Sequence, residues 1–196
     1  MPDQSGDLWL VRHGETEWSA AGRHTGRTDL PLTEEGRRQV ERLRERLAQK
    51  SFALVLSSPL ARAAETCRIA GYGDVAEFDR DLREWDYGDY EGLTTVQIRR
   101  KVPGWTIWTG DPPGGETIGQ VAERARRVIC RARDVKGDTV LFAHGHLLRI
   151  LSACWLGLSP REGSLFALGT ASISILGRER ETSVISVWNH DGCSVP

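Results

Sequence analysis

Two histidines and two arginines stand where the chain would bring them to one place. Arg12 and His13 follow the apolar run 8–11, the run 52–56 leads through Ser57, Ser58 and Pro59 to Arg62, and the run 139–143 ends on His144. Each run reads as a buried strand. In open parallel sheets, ligands bind outside the carboxyl ends of the strands. Three such endings would set both histidines and both arginines on one rim. Two guanidinium groups at one point form an anion sink, because their planar forks match phosphate oxygens and stay charged at neutral pH. Their charge disfavours imidazolium, which keeps His13 unprotonated and nucleophilic. Passing a phosphoryl group through a histidine divides one hard displacement into two easier ones. Arg12 and Arg62 would stabilise charge on the equatorial oxygens in transit, and His144 would donate a hydrogen bond to the same oxygens.

A departing alkoxide needs a proton, and a positioned acid contributes about 10²–10⁴ in rate. Glu84 is the candidate, within the aromatic-dense stretch Leu82-Arg83-Glu84-Trp85-Asp86-Tyr87-Gly88. Asp86, Asp89 and Glu91 are near enough in sequence to serve instead. Trp85, Tyr87, Trp105 and Trp108 read either as core or as a rim that keeps water from the acid.

The elements that must position these residues alternate. A helix is expected over 33–50, with Thr33 as N-cap and Val40, Leu43 and Leu47 facing inward. The next is expected to start with Ser58 as cap and Pro59 in its first position, where the missing N–H does no harm. A short strand near 75–78, a short helix near 94–101 and a Pro/Gly loop come next. Over 116–133 the apolar positions Ile118, Val121, Ala122, Ala125, Val128, Ile129 and Ala132 keep helical spacing. The arginines of that helix, Arg124, Arg126, Arg127, Arg131 and Arg133, read as its solvated face. A further helix is expected over 147–156, and 172–176 with 183–187 as a hairpin across 177–182. Strands alternating with helices indicate an α/β fold, a three-layer α/β/α sandwich around a mostly parallel sheet. The length suits a single domain over 1–196.

Bulk composition excludes several classes. Lys and Arg total 26 against 27 for Asp and Glu, a net charge of −1, so no basic excess marks a nucleic-acid surface. No apolar run has the length to span a bilayer, so no membrane partner is expected. The cysteines Cys67, Cys130, Cys154 and Cys193 are widely spaced and form no CxxC pair. Reduced thiols fit the cytoplasm, and residues 1–7 lack the basic start and apolar core of a signal peptide. His144 and His146 have the spacing of a weak metal pair, but no acidic partner sits at ligand spacing, so no metal and no cofactor are expected.

Five ordered blocks resemble a known family. Leu10-Val11-Arg12-His13-Gly14-Glu15-Thr16 looks like the RHG signature of the histidine phosphatase superfamily, branch 1, which includes phosphoglycerate mutases. Ser57-Ser58-Pro59-Leu60-Ala61-Arg62-Ala63-Ala64-Glu65-Thr66 resembles its second block, and 84–88 with Tyr90-Glu91-Gly92 its acid-bearing block. Pro113-Gly114-Gly115-Glu116-Thr117 and Phe142-Ala143-His144-Gly145-His146 resemble the last two. The resemblance implies the phosphoglycerate mutase-like fold, a phosphorylated His13, Glu84 as proton donor, and Arg12, Arg62 and His144 as the phosphate pocket, without a metal. It adds Ser19, Thr25, Gly26 and Tyr87 as substrate contacts, with Gly145 and His146 in the last block, and it points to a homodimer. Further blocks, such as Trp105-x-x-Trp108 and Thr170-Ala171-Ser172, resemble sugar bisphosphatases and acid phosphatases within that superfamily.

The mutases of the superfamily carry added basic residues after the acid block. The region 103–115 has no arginine pair, Arg99, Arg100 and Lys101 read as a solvated helix face, and Arg149 is the better candidate for a second substrate contact. These features favour water over a second acceptor. The expected function is hydrolysis of small sugar-type phosphate esters; a mutase and a non-catalytic phosphometabolite-binding protein are the alternatives.

Overall fold

The computed structural model describes residues 5–191, and each apolar run that ends in a reactive residue forms a strand. Strands β1 (Ser5–Arg12), β2 (Leu54–Ser57), β3 (Glu77–Phe78), β4 (Gly137–Ala143), β5 (Ile173–Glu179) and β6 (Thr182–His190) make one six-stranded sheet in the order β3-β2-β4-β1-β5-β6. The first four are parallel, while β5 runs antiparallel to β1 and β6 to β5. The expected hairpin therefore forms one edge of the sheet.

Alternation along the strands builds a core on each face. Leu8 and Leu10 of β1 and Leu141 and Ala143 of β4 face helices α5 (Ile118–Arg133) and α6 (Gly145–Trp155). Val11, Val140, Phe142 and Val55 face the other way, onto Val40, Leu43 and Leu47 of α2 (Glu34–Leu47) and Cys67 of α3 (Ala61–Ile69). Helices thus cover both faces, as a parallel sheet requires. Val121, Val128 and Ile129 of α5 lie on the face turned to the sheet, each worth about 1.5–3 kcal/mol when fully buried.

Threonine hydroxyls start three of the longer helices. Thr33, Thr94 and Thr117 accept the N3 amide of α2, α4 (Thr95–Lys101) and α5, and Gln97 and Gln120 reach back to complete capping boxes on the last two. Four expectations change. Helix α3 begins at Ala61, two residues after Pro59, because the Ser58 amide still pairs with the Phe142 carbonyl (2.9 Å) and prolongs the strand. Its first amide is received instead by Asp29 Oδ1 at 2.7 Å from Ala61 N. The strand near 75–78 shrinks to Glu77–Phe78, the only part that reaches β2. Arg124 is not on a solvated face: it is buried, while Arg127 and Arg131 pair with Asp81, Asp79 and Glu77. A short helix α1 (Glu17–Ala20), with Thr16 as its cap, interrupts the loop after β1.

No helix among the described residues is long and apolar enough to cross a membrane. Cys67, Cys130 and Cys154 are free thiols; Cys193 lies outside the described residues.

Candidate active site

Strands β2, β4 and β1 are parallel neighbours, so their carboxyl ends share one rim. The amide of His13 donates to the Ala143 carbonyl (3.0 Å), Arg12 N to the Ser172 carbonyl (3.1 Å), and Ala171 N to the His13 carbonyl (3.0 Å). The β1 tip is thereby fixed on two sides. His144 is the N-cap of α6, directly after β4, and Arg62 stands in the first turn of α3.

His13 is buried, with Nδ1 2.7 Å from the Gly14 carbonyl. A carbonyl only accepts, so Nδ1 carries the proton and Nε2 keeps its lone pair. Burial, then the charges of Arg12 and Arg62, hold the imidazole well below its ordinary pKa of 6.5. The imidazole is therefore neutral and of defined tautomer.

The two guanidinium groups differ in setting. Arg12 lines the main cavity, a space of about 390 Å³, and donates through Nη1 to the Leu168 carbonyl. Its Nε is buried without a hydrogen-bond partner among the described residues. A Cβ on Gly145 would stand 3.2 Å from Arg12 Cζ, so glycine there lets the guanidinium lie against the start of α6. Arg62 is fully buried behind the cavity wall. It donates to His144 Nδ1 (3.2 Å) and to the carbonyls of Thr28 (2.9 Å), Thr25 (3.1 Å) and Gly26 (3.0 Å).

His144 departs from its expected role as a free donor. Its Nδ1 accepts from Arg62, so Nε2 carries the proton and donates to Ser58 Oγ at 2.8 Å. Both nitrogens are engaged, and the ring stands 5.2 Å from that of His13. Burial, then Arg62, keep it well below 6.5 as well. In this arrangement His144 holds Arg62 and flanks His13.

Of the four candidate acids, Glu84 alone lines the main cavity. Its carboxylate accepts the amides of Trp85 (2.9 Å), His146 (3.0 Å) and Leu147 (2.9 Å), the last two from the first turn of α6. A helix N-terminus favours an anion. Asp86 pairs with Arg27 at 2.6 Å, and Glu91 receives the amides of Gly26 and Thr28. Asp89 is exposed.

Among the expected substrate contacts, Ser19, Thr25, Tyr87, Gly145, His146 and Arg149 all line the cavity. Gly26 does not: its amide is held by Glu91 and its carbonyl by Arg62, and a Cβ there would meet the Trp85 carbonyl at 2.5 Å. The Tyr87 hydroxyl and His146 Nδ1 share a hydrogen bond of 2.6 Å. Burial drives the phenol well above 10 and the imidazole well below 6.5, so the pair is neutral. Arg149 stacks on Trp108 at 4.5 Å and donates to the carbonyls of Gly163 and Ser164.

Arg23, His24, Thr95, Arg99 and Thr106 also border the cavity and were absent from the expected site. His24 packs on Tyr87 (4.8 Å) and Trp105 (5.5 Å), and burial lowers it to about 4. Arg99 is not merely a solvated helix residue: it stands one helical turn beyond Thr95 on the cavity side of α4. That i, i+4 spacing was the available sequence signal. Among the described residues, no cluster of three or more histidine, cysteine or acidic side chains could hold a metal ion.

Residues 8–191 match the model of the histidine phosphatase superfamily, branch 1. The chain belongs to that family. An acid phosphatase of Mycobacterium tuberculosis is 42% identical over 190 residues, covering 93% of each chain. Sedoheptulose 1,7-bisphosphatase of Saccharomyces cerevisiae is 37% identical, over 83% of this chain and 72% of the yeast one. The solved structure of the product of open reading frame Rv3214 of M. tuberculosis superposes with a TM-score of 0.90 at 41% identity, covering 96% of this chain and 99% of that one. This histidine phosphatase thus shares its mixed α/β sheet with relatives that are named phosphatases.

Proposed function

We propose that this histidine phosphatase hydrolyses small sugar-type phosphate monoesters through a phosphohistidine on His13, without a metal and in the cytoplasm. The observation that carries the reading is the pinned, neutral His13, its Nε2 lone pair free beside Arg12 and within the field of Arg62.

In the first step Nε2 attacks phosphorus and a P–N bond forms as the P–O ester bond breaks. Glu84, having taken the proton of the bound phosphate monoanion, passes it to the departing alkoxide oxygen. Arg12 meets the charge of the equatorial oxygens, and His146 also lines the cavity. In the second step water attacks phosphorus, the P–N bond breaks, and the Glu84 carboxylate takes the water proton. Inorganic phosphate leaves, and each group returns to its starting state.

Release of phosphate from p-nitrophenyl phosphate in EDTA tests the reading. Activity should persist, and rapid quench under conditions that preserve acid-labile adducts should find the label on His13. His13→Ala should lose turnover by about 10³-fold or more, as removal of a nucleophile does, with the thermal melt still cooperative. Retained turnover in that variant would sink the scheme. A coupled assay converting 3- to 2-phosphoglycerate distinguishes the mutase alternative, which the cavity position of Arg99 keeps open.

A further inference from the structure

The Arg12 guanidinium is held by one hydrogen bond among the described residues, from Nη1 to the Leu168 carbonyl. Its aim at a phosphoryl group therefore depends on where that carbonyl stands. Leu168 lines the main cavity, yet it lies in the irregular stretch before β5 and is only half-buried. Loops are more mobile than the elements they connect. A carbonyl in such a stretch fixes a side chain only when its own segment is pinned.

The pins come from β6. Between the pairs Ile175–Val187 and Ile173–His190, β5 has one residue, Ser174, and β6 has two, Trp188 and Asn189. The extra residue is a β-bulge. Asn189 takes a φ of 54°, in the left-handed region that asparagine tolerates better than most residues. Its amide donates to Ser174 Oγ at 3.0 Å, which closes the bulge. In an unbroken strand, neighbouring side chains point to opposite faces. Here both reach one segment. Trp188 Nε1–H donates to the Ala167 carbonyl at 2.6 Å, and Asn189 Oδ1 accepts the Gly169 amide at 2.7 Å. These contacts bracket Leu168. The Trp188 ring also packs on Phe166 at 5.2 Å, and the Ser172 hydroxyl donates to the Gly169 carbonyl at 2.8 Å. Neither Trp188 nor Asn189 lines the main cavity, so neither touches a substrate held there.

We infer that Trp188 and Asn189 are positioning residues for phosphoryl transfer: the β6 bulge sets the Leu168 carbonyl, and that carbonyl turns the Arg12 fork toward the phosphoryl oxygens. The inference rests on the phosphatase reading for its reaction but not for its geometry. Bulges beside active sites re-aim side chains; this one acts through a carbonyl of the neighbouring loop. A hydrogen bond corresponds to about two- to tenfold in an equilibrium constant, which sets the loss expected when one pin is removed.

Three substitutions test it. Asn189→Gly keeps the left-handed backbone and removes the acceptor. Asn189→Asp keeps both, and Trp188→Phe keeps a ring and removes the donor. Asn189→Gly and Trp188→Phe should each lower kcat/KM by about three- to tenfold, while Asn189→Asp stays within about twofold of wild type. The loss should be equal on p-nitrophenyl phosphate and glycerol 3-phosphate, because Arg12 serves the transferred group; slackening around Glu84 would spare the first. Orthovanadate, which adopts the geometry of the group in transit, should inhibit both impaired variants more weakly by the same factor. A lysine at position 12 is a point charge with no fork to aim. In an Arg12→Lys background Asn189→Gly should therefore cost less than about twofold. Assays are run where circular dichroism shows each variant folded. A lowered melt with kcat/KM unchanged would overturn the inference. So would a loss in Asn189→Asp as large as in Asn189→Gly, or the full loss in the Arg12→Lys background. Failure of the wild type to turn over p-nitrophenyl phosphate would instead overturn the phosphatase reading, and calorimetric titration of orthovanadate into the same variants would then decide the aim of Arg12.

Discussion

Arg124→Ala tests whether the acid-bearing segment is braced from behind. Arg124 is buried and makes a fork-to-fork pair with Glu116, Nε to Oε1 at 2.9 Å and Nη2 to Oε2 at 3.0 Å. Its Nη1 donates to the carbonyls of Asp81 and Arg83, the residues that lead into Glu84. Glu116 in turn accepts the Asp86 amide at 3.0 Å, and its carbonyl accepts Trp85 Nε1–H at 2.7 Å. The stretch around Glu84 is thus tied to α5 through this buried pair, beside the exposed pair of Arg127 with Asp81. Removing one partner of a buried pair leaves the other charge uncompensated and costs about 3–5 kcal/mol. That is a large share of the roughly 5–15 kcal/mol that holds a domain folded. In a chain of this length about 1 kcal/mol moves Tm by roughly 2–4 °C, so the melt should fall by on the order of 6–20 °C. Turnover should fall with it at temperatures where the variant is still folded, because Glu84 loses its anchor. Arg124→Lys keeps the charge but not the fork, and should lie between. Urea melts beside p-nitrophenyl phosphate kinetics check both effects. A melt within about 1 kcal/mol of wild type would refute the brace; so would full turnover in a variant that is destabilised as expected.

Two further outcomes follow from the site. Glu84→Gln should reduce kcat on alkyl phosphates by about 10²–10⁴-fold and on p-nitrophenyl phosphate much less, since that leaving group departs with little protonation; an equal loss on both would remove Glu84 from the acid role. Stability should fall as pH drops below about 6.5, because His13, His144 and His146 lie well below that value when folded and His24 at about 4. The unfolded chain binds protons there that the folded chain refuses, so each buried histidine contributes up to about 1.4 kcal/mol per pH unit. This contribution is fully present above 6.5 and is lost on acidification towards each folded pKa. A urea midpoint that is flat from pH 7 to 5, or that rises, would contradict the burial of these rings as neutral species.

Much of the fold was legible because strand endings and helix periods are local. The runs 8–11, 52–56 and 139–143 announced β1, β2 and β4, and the spacing from Ile118 to Ala132 announced α5. Contacts remote in sequence were not legible. Arg124 carries the same side chain as its exposed neighbours, and only the approach of 81–86 buries it. Ser58 has the sequence signature of a cap, yet it serves His144, because the strand runs on past Ser57 and α3 takes its cap from Asp29. Glu84 could be separated from Asp86, Asp89 and Glu91 only once α6 placed its amide end against one of the four. The cavity position of Arg99 follows from how α4 docks, which a helix of seven residues does not encode by itself.

Charge at the floor of the site also shapes the loop above it. Segment 25–28 is held from both sides by groups of opposite sign: Glu91 takes the amides of Gly26 and Thr28, and Arg62 takes the carbonyls of Thr25, Gly26 and Thr28. Each partner engages the end of the peptide dipole that suits its charge. The Arg62 guanidinium, which after burial and Arg12 helps to keep His13 neutral, therefore also fixes the loop that carries Thr25 into the cavity wall. A substitution at Glu91 would act at a distance, since loosening the amides frees the carbonyls that hold Arg62, and Arg62 in turn orients His144. Those four hydrogen bonds from Arg62 explain why it can sit fully buried with no ion pair among the described residues. Its charge is spread over carbonyl oxygens and one imidazole instead of being cancelled by a carboxylate.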